Sequence, residues 1–519
     1  MRLILLVSAV SMLVACASGD SPSDPKKTPD VGISFPDAGA DDAGSSETDM
    51  PGTTTTPDIT VETPGARKTM ILEGTLLLPT GPTYGQVLVA DGYIRCVALD
   101  CTTDPDAANA TVIKTTGVVS PGLIDAHNHL PYNFLPEWNP GQRRFNNRYE
   151  WADDPSYEAH VAPYANNRSS ASHFCPAARW GELRSLLHGT TTIQGQSLSQ
   201  SCIQGLVRNA DHEQDVTYDL MRTTIVSPRE ITDDEAANYI ASFRDPLEPA
   251  TRFAVHMMEG YRGNNVELEF SSFAGRDTRP NRHQGVSLLE DGTAVLIHSI
   301  ALTDEELDEV KATNSKIVWS PSSNIVLYGR TLDIKKVLDK GIVTGLGPDW
   351  TVSGEDDLLA ELNYAREFAR LTNIESTLTP KKLWEMVTRD GAEVVGLSEF
   401  VGTIEEGKHA DLVVFRNADD PYEAIVDADA RDVLLVLIGG EAYYGDASLK
   451  PAVARNDYCE DINVCRNARF VCAVEDPTSA WGTVTQIRQA LFDILEGTGY
   501  PATEQYKRGN ELLELVACP

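Results

Sequence analysis

The strongest constraint on the fold is an alternation of short apolar runs with helical stretches between about residues 119 and 350. Such alternation is typical of parallel β/α architectures, in which a crossover helix follows each strand. Seven strand candidates can be read from the sequence, and they are VVSPGLIDAH, TTTIQG, DLMRTTIVS, TRFAVHMM, TAVLIHS, KIVWSP and IVTGLGPD. An eighth strand is expected within 195–218, where the pattern is poor. With 519 residues, the chain suits a large α/β barrel with satellites or two to four smaller domains.

Strand-rich segments flank this region on both sides. Before it, about residues 68–116 contain MILEGTLLLP and QVLVADGYIRCVAL, with Asp91-Gly92 as a hairpin turn signal. After it come ADLVVFRN and DVLLVLIGGEAYYG. We expect both flanks to form one small β-domain, because they can pair only if the chain returns to where it started. The extension 450–519 has four cysteines and an amphipathic helix that includes Trp481, and we expect it to pack on the barrel.

The N-terminus resembles an export signal. Residues 1–15 have a positive start and an apolar run that is shorter than the ~20 residues of a membrane-spanning helix. Cys16 follows a small-residue cleavage site and resembles the lipidated cysteine of bacterial lipoproteins; an ordinary signal peptide is the alternative. Residues 16–66 predict a disordered acidic tether. We therefore expect an exported protein, lipid-anchored to the bacterial cell envelope on its periplasmic or cell-surface side.

The cysteines favour disulfide bonds. Eight remain after Cys16, an even number that suits an exported chain. Sequence proximity favours Cys96–Cys101 and Cys175–Cys202, with the last four cysteines pairing among themselves. A zinc cluster is the rival interpretation, but no C-x₂-C spacing supports it.

The charge balance limits the partners. The chain has 43 Lys and Arg against 77 Asp and Glu, which gives a formal net charge of −34. A surface this acidic repels phosphate backbones, so we expect no nucleic-acid partner. We expect a small-molecule substrate, and a homodimer is left open.

Histidines and one aspartate stand at successive strand ends. His127 and His129 follow the strand GLIDA, and alternate residues on a strand share a face. His256 ends RFAV, His298 ends AVLI and Asp349 follows IVTGLG. The carboxyl ends of barrel strands carry active sites, and these side chains suit zinc or iron(II). This pattern predicts a divalent-metal site.

A proton carrier is predicted beside it. Glu259 lies three residues after His256, where a carboxylate can face the reacting water without being a ligand. An ordinary exposed loop glutamate is the alternative interpretation.

Taken in order, these motifs resemble the amidohydrolase superfamily of metal-dependent hydrolases over roughly residues 68–445. PGLIDAHNHL is similar to its first-strand motif, LLHGTTTIQG to the segment entering strand two, and VHMMEG to the H-x-x-E of strand five. SPSSNIVLYG resembles the strand-seven segment of the chlorotriazine-hydrolase and aromatic-deaminase branch, and VGTIEEGKHADLVVF the return into the β-domain. The resemblance implies a distorted (β/α)8 TIM barrel over 119–401, with a small composite β-sandwich from 67–118 and 402–449.

The resemblance also implies an activity. It is hydrolysis of non-peptide carbon–nitrogen bonds by attack of a metal-activated water, as in a deaminase or a cyclic amide or imide hydrolase. One divalent metal, zinc foremost and iron(II) as the alternative, would be held by His127, His129, His256 and Asp349. The catalytic residues would be Glu259 as general acid/base, with His298 and Asp349 orienting the water.

The absence of lysine between Lys114 and Lys311 favours one metal over two. Family members with two metals commonly bridge them with a carboxylated lysine on strand four, and strands one to six all fall in this interval. A dipeptidase-like amidohydrolase usually needs two metals and is therefore the weaker alternative. A non-catalytic surface binding lipoprotein is the third interpretation.

Substrate contacts are predicted from a long insert after the first ligands, PYNFLPEWNPGQRRFNNRYEW. Its aromatic residues and arginines would stack a planar ring and hold an anionic group, or else the insert only covers the barrel edge. The sequence GPDW departs from the family pattern around the aspartate. We therefore expect Trp350 either to shape the pocket or to pack beneath it. The substrate-binding candidates are Asn324, Tyr328, Trp350 and Arg148.

Overall fold

The computed structural model describes twelve segments of the chain, which are 58–138, 140–141, 143–165, 171–195, 206–211, 221–222, 228–243, 252–263, 265–289, 292–475, 482–497 and 514–518. The predicted signal peptide, Cys16, Cys202 and Trp481 lie outside these described residues. Within them, no helix has the length and apolar character needed to cross a membrane.

Five strands precede the barrel, and they are β1 (Ile59–Thr63), β2 (Ala66–Leu78), β3 (Gly81–Ala90), β4 (Tyr93–Ala98) and β5 (Ala110–Pro121). Asp91 and Gly92 join β3 to β4 with positive φ angles of 51° and 85°, which suit a tight two-residue hairpin. β1 lies within the segment predicted to be tether. Because Ile59 is buried and β1 pairs with β5, the ordered fold includes residues before 67.

Eight short parallel strands follow, and they are β6 (Leu123–Asp125), β7 (Thr190–Ile193), β8 (Arg208–Asn209), β9 (Met221–Arg222), β10 (Arg252–Met257), β11 (Ala294–His298), β12 (Lys316–Trp319) and β13 (Thr344–Leu346). They lie in the orders β6-β7-β8 and β13-β12-β11-β10-β9. Two backbone hydrogen bonds of 3.1 Å join these groups, from Met221 to Ala210 and from Ala126 to Leu346. The strands therefore close into a barrel, as predicted, and β8 lies in the interval 195–218.

Helices surround the strands and fill the insert. Those up to the end of the barrel are α1 (Arg148–Trp151), α2 (Pro155–His160), α3 (Ala162–Ala165), α4 (Ala171–Leu187), α5 (Asp233–Phe243), α6 (Glu267–Phe273), α7 (Asp304–Ala312), α8 (Pro321–Tyr328), α9 (Ile334–Asp339), α10 (Leu358–Leu371), α11 (Pro380–Met386) and α12 (Arg389–Val395). Their starts follow local signals. In α7, for example, Thr303 and Glu306 form a reciprocal capping box.

The chain then returns to the N-terminal strands. The last strands are β14 (Leu412–Phe415), β15 (Val433–Ile438), β16 (Glu441–Asp446), β17 (Glu460–Val464) and β18 (Asn467–Val471), with helices α13 (Glu423–Val426), α14 (Lys450–Val453) and α15 (Val484–Gly497). β14 pairs with β5 in antiparallel orientation, so both flanks share one ten-stranded sheet. Its order is β17-β18-β16-β15-β14-β5-β2-β3-β4, with β1 beside β5.

Disulfide bonds hold the sheet and the extension. The described pairs are Cys96–Cys101, Cys459–Cys472 and Cys465–Cys518, which agree with the expected pairings. Cys175 is also disulfide-bonded.

A buried ion pair links the sheet to the barrel. Arg208 of β8 donates from Nε to Asp411 Oδ2 at 2.6 Å and from Nη2 to Oδ1 at 3.1 Å.

The largest apolar core fills the space between barrel strands and helices, and a second lies against the ten-stranded sheet. The barrel rim is therefore supported from below by packed apolar layers.

Candidate metal centre and active site

Four side chains converge at the carboxyl ends of the barrel strands. His127 follows β6, His256 lies in β10, His298 ends β11 and Asp349 follows β13. Each offers one ligand atom, and these atoms lie within 4.8 Å of one another. His298 and Asp349 have positive φ angles of 66° and 72°, a strained conformation for residues other than glycine and one that concentrates at functional sites.

His129 stands beside this group. Its Nε2 lies 3.2 Å from Asp349 Oδ1, the same distance as that of His127 Nε2. The compact group of four thus contains His298, which the resemblance placed against the water or substrate, and does not contain His129, which the resemblance made a ligand. All five predicted side chains nevertheless share one small volume.

Three buried polar atoms in this volume are suited to binding a cation. His127 Nε2, His298 Nε2 and Asp349 Oδ1 find no hydrogen-bond partner in the part of the chain that the structure describes. Buried polar atoms are almost always paired, so three such atoms facing one point require an explanation. Imidazole nitrogens and a carboxylate oxygen are the donors that zinc and other divalent transition metals prefer.

Hydrogen bonds fix the orientation of two of the rings. His127 Nδ1 donates to Gln194 Oε1 at 3.1 Å, and His298 Nδ1 donates to Asn324 Oδ1 at 2.9 Å. In a neutral imidazole, a proton on Nδ1 leaves the lone pair of Nε2 free. In both rings Nε2 is therefore the nitrogen that can serve as a ligand atom, and that of His127 lies 3.2 Å from Asp349 Oδ1.

The outer oxygen of Asp349 is held by hydroxyl groups. Ser323 Oγ donates to Asp349 Oδ2 at 2.7 Å and lies 2.9 Å from Ser353 Oγ. Trp350 Nε1 donates to Ser353 Oγ at 2.6 Å. These contacts leave Oδ1 directed at the histidines.

Glu259 lies beside His298. Its Oε1 accepts a hydrogen bond of 2.5 Å from the Tyr328 hydroxyl, and its Oε2 lies 3.7 Å from His298 Nε2. Burial raises the pKa of the Glu259 carboxyl to about 7, against the opposing effect of Arg148. The group can therefore both hold and release a proton near neutral pH.

The other titratable groups differ in charge. Burial alone raises the pKa of the Asp349 carboxyl, but His127 and His129 outweigh it and hold that pKa well below its usual range. Burial lowers the pKa of His129 and His256, and it lowers that of His298 to about 4. These three rings are therefore neutral at pH 7, as metal ligands must be, whereas at His127 the neighbouring Asp349 outweighs the effect of burial and raises the pKa.

The insert packs aromatic rings beside the centre. The Trp350 ring centroid lies 5.3 Å from that of His129, 5.3 Å from Tyr132 and 5.7 Å from Trp151. Arg148, predicted to bind substrate, instead lies against Glu269, with Nε 3.3 Å from Oε1. The predicted pocket residues Asn324 and Tyr328 contact His298 and Glu259, respectively.

The residues that hold the site were not found from the sequence. Gln194, Ser323 and Ser353 are polar residues next to predicted strand ends or ligands, which is a weak signal in one sequence. Trp151 donates from Nε1 to the Tyr328 hydroxyl at 3.0 Å across 177 residues of chain, and no local pattern reveals such a contact.

Comparisons with known proteins agree with this geometry. The Amidohydrolase family model matches residues 227–443. The 5-methylthioadenosine/S-adenosylhomocysteine deaminase 1 of Syntrophus aciditrophicus is 25% identical over 41% of this chain and 48% of its own length. The corresponding deaminase of Thermoanaerobacter pseudethanolicus is 23% identical over 67% of this chain and 86% of its own length. The chain thus spans about half of the first relative and most of the second.

A solved structure shares the fold. The atrazine chlorohydrolase of Arthrobacter aurescens TC1, complexed with zinc, superposes with a TM-score of 0.54 at 19% identity, over 72% of this chain and 95% of that chain. The shared feature is the barrel, and in this chain histidine and aspartate side chains lie at the carboxyl ends of its strands. The family model that matches residues 227–443 is the one that the motifs predicted, and it covers less than half of the chain.

Proposed function

We propose that this protein is a zinc-dependent hydrolase of a small nitrogen-containing ring compound, acting as a deaminase or a cyclic amide or imide hydrolase. The observation that carries the proposal is the set of three buried ligand atoms that have no hydrogen-bond partner among the described residues and that lie beside the buried Glu259 carboxyl. The relatives named as deaminases and the zinc in a structure of the same fold support this choice.

One metal ion would be held by His127, His256 and Asp349 together with His129. When bound, zinc supplies a Lewis acid that lowers the pKa of a coordinated water toward 7. His298 is proposed to contact the water or substrate, although it belongs to the compact group of four. Metal content of His129→Asn and His298→Asn variants, measured side by side, decides which of the two is the fourth ligand.

The remaining chemistry belongs to the chain's own residues. Asp349 and His298 would orient the attacking water and accept its proton. Glu259 would carry a proton to the substrate nitrogen, which makes that nitrogen a better leaving group. The aromatic rings of Trp350 and Tyr132 would provide a flat apolar wall for a planar substrate.

The test is metal stoichiometry together with amine release. Elemental analysis of the full chain, wild type and His256→Ala, should give about one zinc per wild-type chain and little in the variant. Planar heterocyclic amines and cyclic amides or imides should then be hydrolysed by the wild type alone. Two metals per chain would favour the dipeptidase-like alternative, and no metal after reconstitution would favour a binding protein.

We also propose that the protein is exported and attached to the cell envelope through a lipid on Cys16. The signal-like N-terminus and the disulfide bonds support an oxidising compartment. In cells, Cys16→Ser should move the protein from the membrane fraction to the soluble fraction. Mass spectrometry of the N-terminal peptide should find acyl chains on Cys16 in the wild type, and an unmodified cysteine there would refute the anchor.

A further inference from the structure

The segment 145–151 of the insert lies directly against the end of β10. Asn147 and Gly260 form an antiparallel bridge, and Tyr261 N donates to Asn146 O at 2.7 Å. Arg148 N donates to Glu259 O at 3.2 Å. A Cβ atom on Gly260, whose φ is 137°, would lie 2.3 Å from Asn146 O, so only glycine permits this approach.

The same segment reaches the Glu259 carboxyl through two side chains. Trp151 Nε1 donates to the Tyr328 hydroxyl at 3.0 Å, and that hydroxyl donates to Glu259 Oε1 at 2.5 Å. An indole N–H is a donor only, so the Tyr328 oxygen must accept from it. The single hydroxyl hydrogen of Tyr328 is then directed to Glu259.

This direction determines where Glu259 carries its own proton. Because Oε1 accepts from Tyr328, the exchangeable proton belongs on Oε2, the oxygen 3.7 Å from His298 Nε2. Oε2 is therefore the atom that faces the reaction centre.

A second contact holds the backbone just before Glu259. Glu269 of α6 is fully buried and accepts from Met258 N at 2.6 Å and from the Tyr149 hydroxyl at 2.6 Å. Met258 has a positive φ of 52°, so its strained backbone depends on this acceptor. The helix α1 thus contacts the surroundings of Glu259 in two ways. Trp151 binds Tyr328, and Tyr149 shares the Glu269 acceptor with Met258.

We propose that Trp151 and Tyr328 are positioning residues for Glu259, which direct its Oε2 toward the reaction centre, and that the insert is a working part of the site rather than a cover. The proposal rests on the proposed role of Glu259 as proton carrier. It replaces the prediction that Tyr328 contacts substrate.

The test compares Tyr328→Phe, Trp151→Phe and the double variant in the zinc-loaded full chain. Tyr328→Phe should lower kcat about 10- to 100-fold, because misplacing a reacting group by about 1 Å costs roughly that much, with KM within about twofold. Trp151→Phe should lower kcat less, and adding it to Tyr328→Phe should have no further effect, since the indole acts only through the hydroxyl. Zinc content should stay the same in all three.

Trp138→Phe is the matched control, because this tryptophan lies in the same insert but donates to Ser156 Oγ, at 2.9 Å. Its kcat should stay near that of the wild type. A raised KM with unchanged kcat in Tyr328→Phe would show that Tyr328 contacts substrate and would overturn the proposal. If the losses in kcat of the two single variants added up in the double variant, Trp151 would not act on Glu259 through Tyr328, and that part of the proposal would be refuted.

Crystal structures of the same variants give a readout that does not need activity. The Glu259 carboxylate should rotate away from its wild-type position in Tyr328→Phe and Trp151→Phe and stay in place in Trp138→Phe. An unmoved carboxylate in all three would refute the positioning role. A wild type that binds zinc but hydrolyses no carbon–nitrogen substrate would refute the proposed function, and the structures would still decide the positioning role.

Discussion

The rim at the end of β13 and the rim at the end of β10 each bury one carboxyl group, and the two groups are equally shielded from solvent. Asp349 and Glu259 are each 3% exposed. Asp349 Oδ1 faces two histidine nitrogens at 3.2 Å, whereas Glu259 has a tyrosine hydroxyl at 2.5 Å and its nearest histidine nitrogen at 3.7 Å. The pKa of Asp349 lies well below its usual range, and that of Glu259 is raised to about 7.

The difference shows that the neighbouring side chains, rather than the extent of burial, determine the pKa of each carboxyl group. Burial acts on both in the same direction, toward the protonated form. At Asp349 the histidines reverse that effect, so the carboxylate keeps a negative charge for a cation. At Glu259 the nearest histidine nitrogen lies 3.7 Å away and Arg148 only partly opposes burial, so the group can carry a proton. Each of the following changes alters one side of this comparison.

Replacing the charged acid should have the largest effect. Asp349→Asn removes the negative charge that faces His127 and His129, so bound metal should fall from about one per chain to near zero, and activity with it. Elemental analysis after dialysis measures this loss. Asp277→Asn is the control, because Asp277 is buried but pairs with Arg279. Full metal content in Asp349→Asn would contradict a ligand role.

Replacing the protonated acid should leave the metal and remove the chemistry. Glu259→Gln keeps the shape and can still accept from Tyr328, but it cannot transfer a proton, so kcat should fall about 10²- to 10⁴-fold. Glu182→Gln is the matched control, since burial raises the pKa of Glu182 to about 7 as well and it pairs with Arg179. Unchanged kcat in Glu259→Gln, or equal losses in both variants, would remove Glu259 from the mechanism.

The sequence predicts the strand ends far better than it predicts the contacts between them. The apolar runs before His256, His298 and Asp349 are continuous, because parallel strands are buried on both faces, so the barrel and its rim follow from local pattern. β8 has only two residues and β9 only two, which is too short for any periodicity. β8 could be placed only by counting, whereas β9 lies within the run DLMRTTIVS that the sequence predicts as a strand.

The hydrogen bonds that tune the site have no local signature. Gln194 contacts His127 from 67 residues away, and Tyr328 contacts Glu259 from 69 residues away. Arg148 looked suited to an anionic substrate because it stands in an aromatic, arginine-rich insert. Its pairing with Glu269 depends on how α1 and α6 meet, and that is a property of the folded barrel.

The protonation difference should also appear in stability against pH, measured on metal-free protein by urea unfolding. Glu259 has a folded pKa of about 7 and an ordinary value of 4.5, so its stabilising contribution is present below about 4.5 and is lost as pH rises through 7. Between pH 5 and pH 8, wild type should lose about 2.5 kcal/mol relative to Glu259→Gln. A constant difference between the two proteins across this range would refute the raised pKa.

Asp349 has the opposite sign and supplies the contrast. Its folded pKa is lowered, so its contribution is present above the unfolded pKa and is lost as pH falls through the folded value. Between pH 5 and pH 8 the stability difference between wild type and Asp349→Asn should decrease, because Asp349 raises the pKa of His127 and that contribution is lost as pH rises through the folded value. Asp349 itself should lose its contribution only below about pH 4, so a stability difference that did not fall as pH was lowered through that range would mean that Asp349 is not held ionised.

The smallest expected effect separates the supports of the two acids. Ser323→Ala removes the hydroxyl that holds Asp349 Oδ2, so the metal dissociation constant should rise about 10- to 100-fold, as is common for groups that orient ligands. With saturating metal, kcat should stay close to that of the wild type, because Glu259 is untouched. Tyr328→Phe should give the reverse pattern, with normal metal affinity and lowered kcat. If Ser323→Ala instead lowered kcat at full metal occupancy, the two sides of the site would be coupled, and the division of labour between Asp349 and Glu259 would fail.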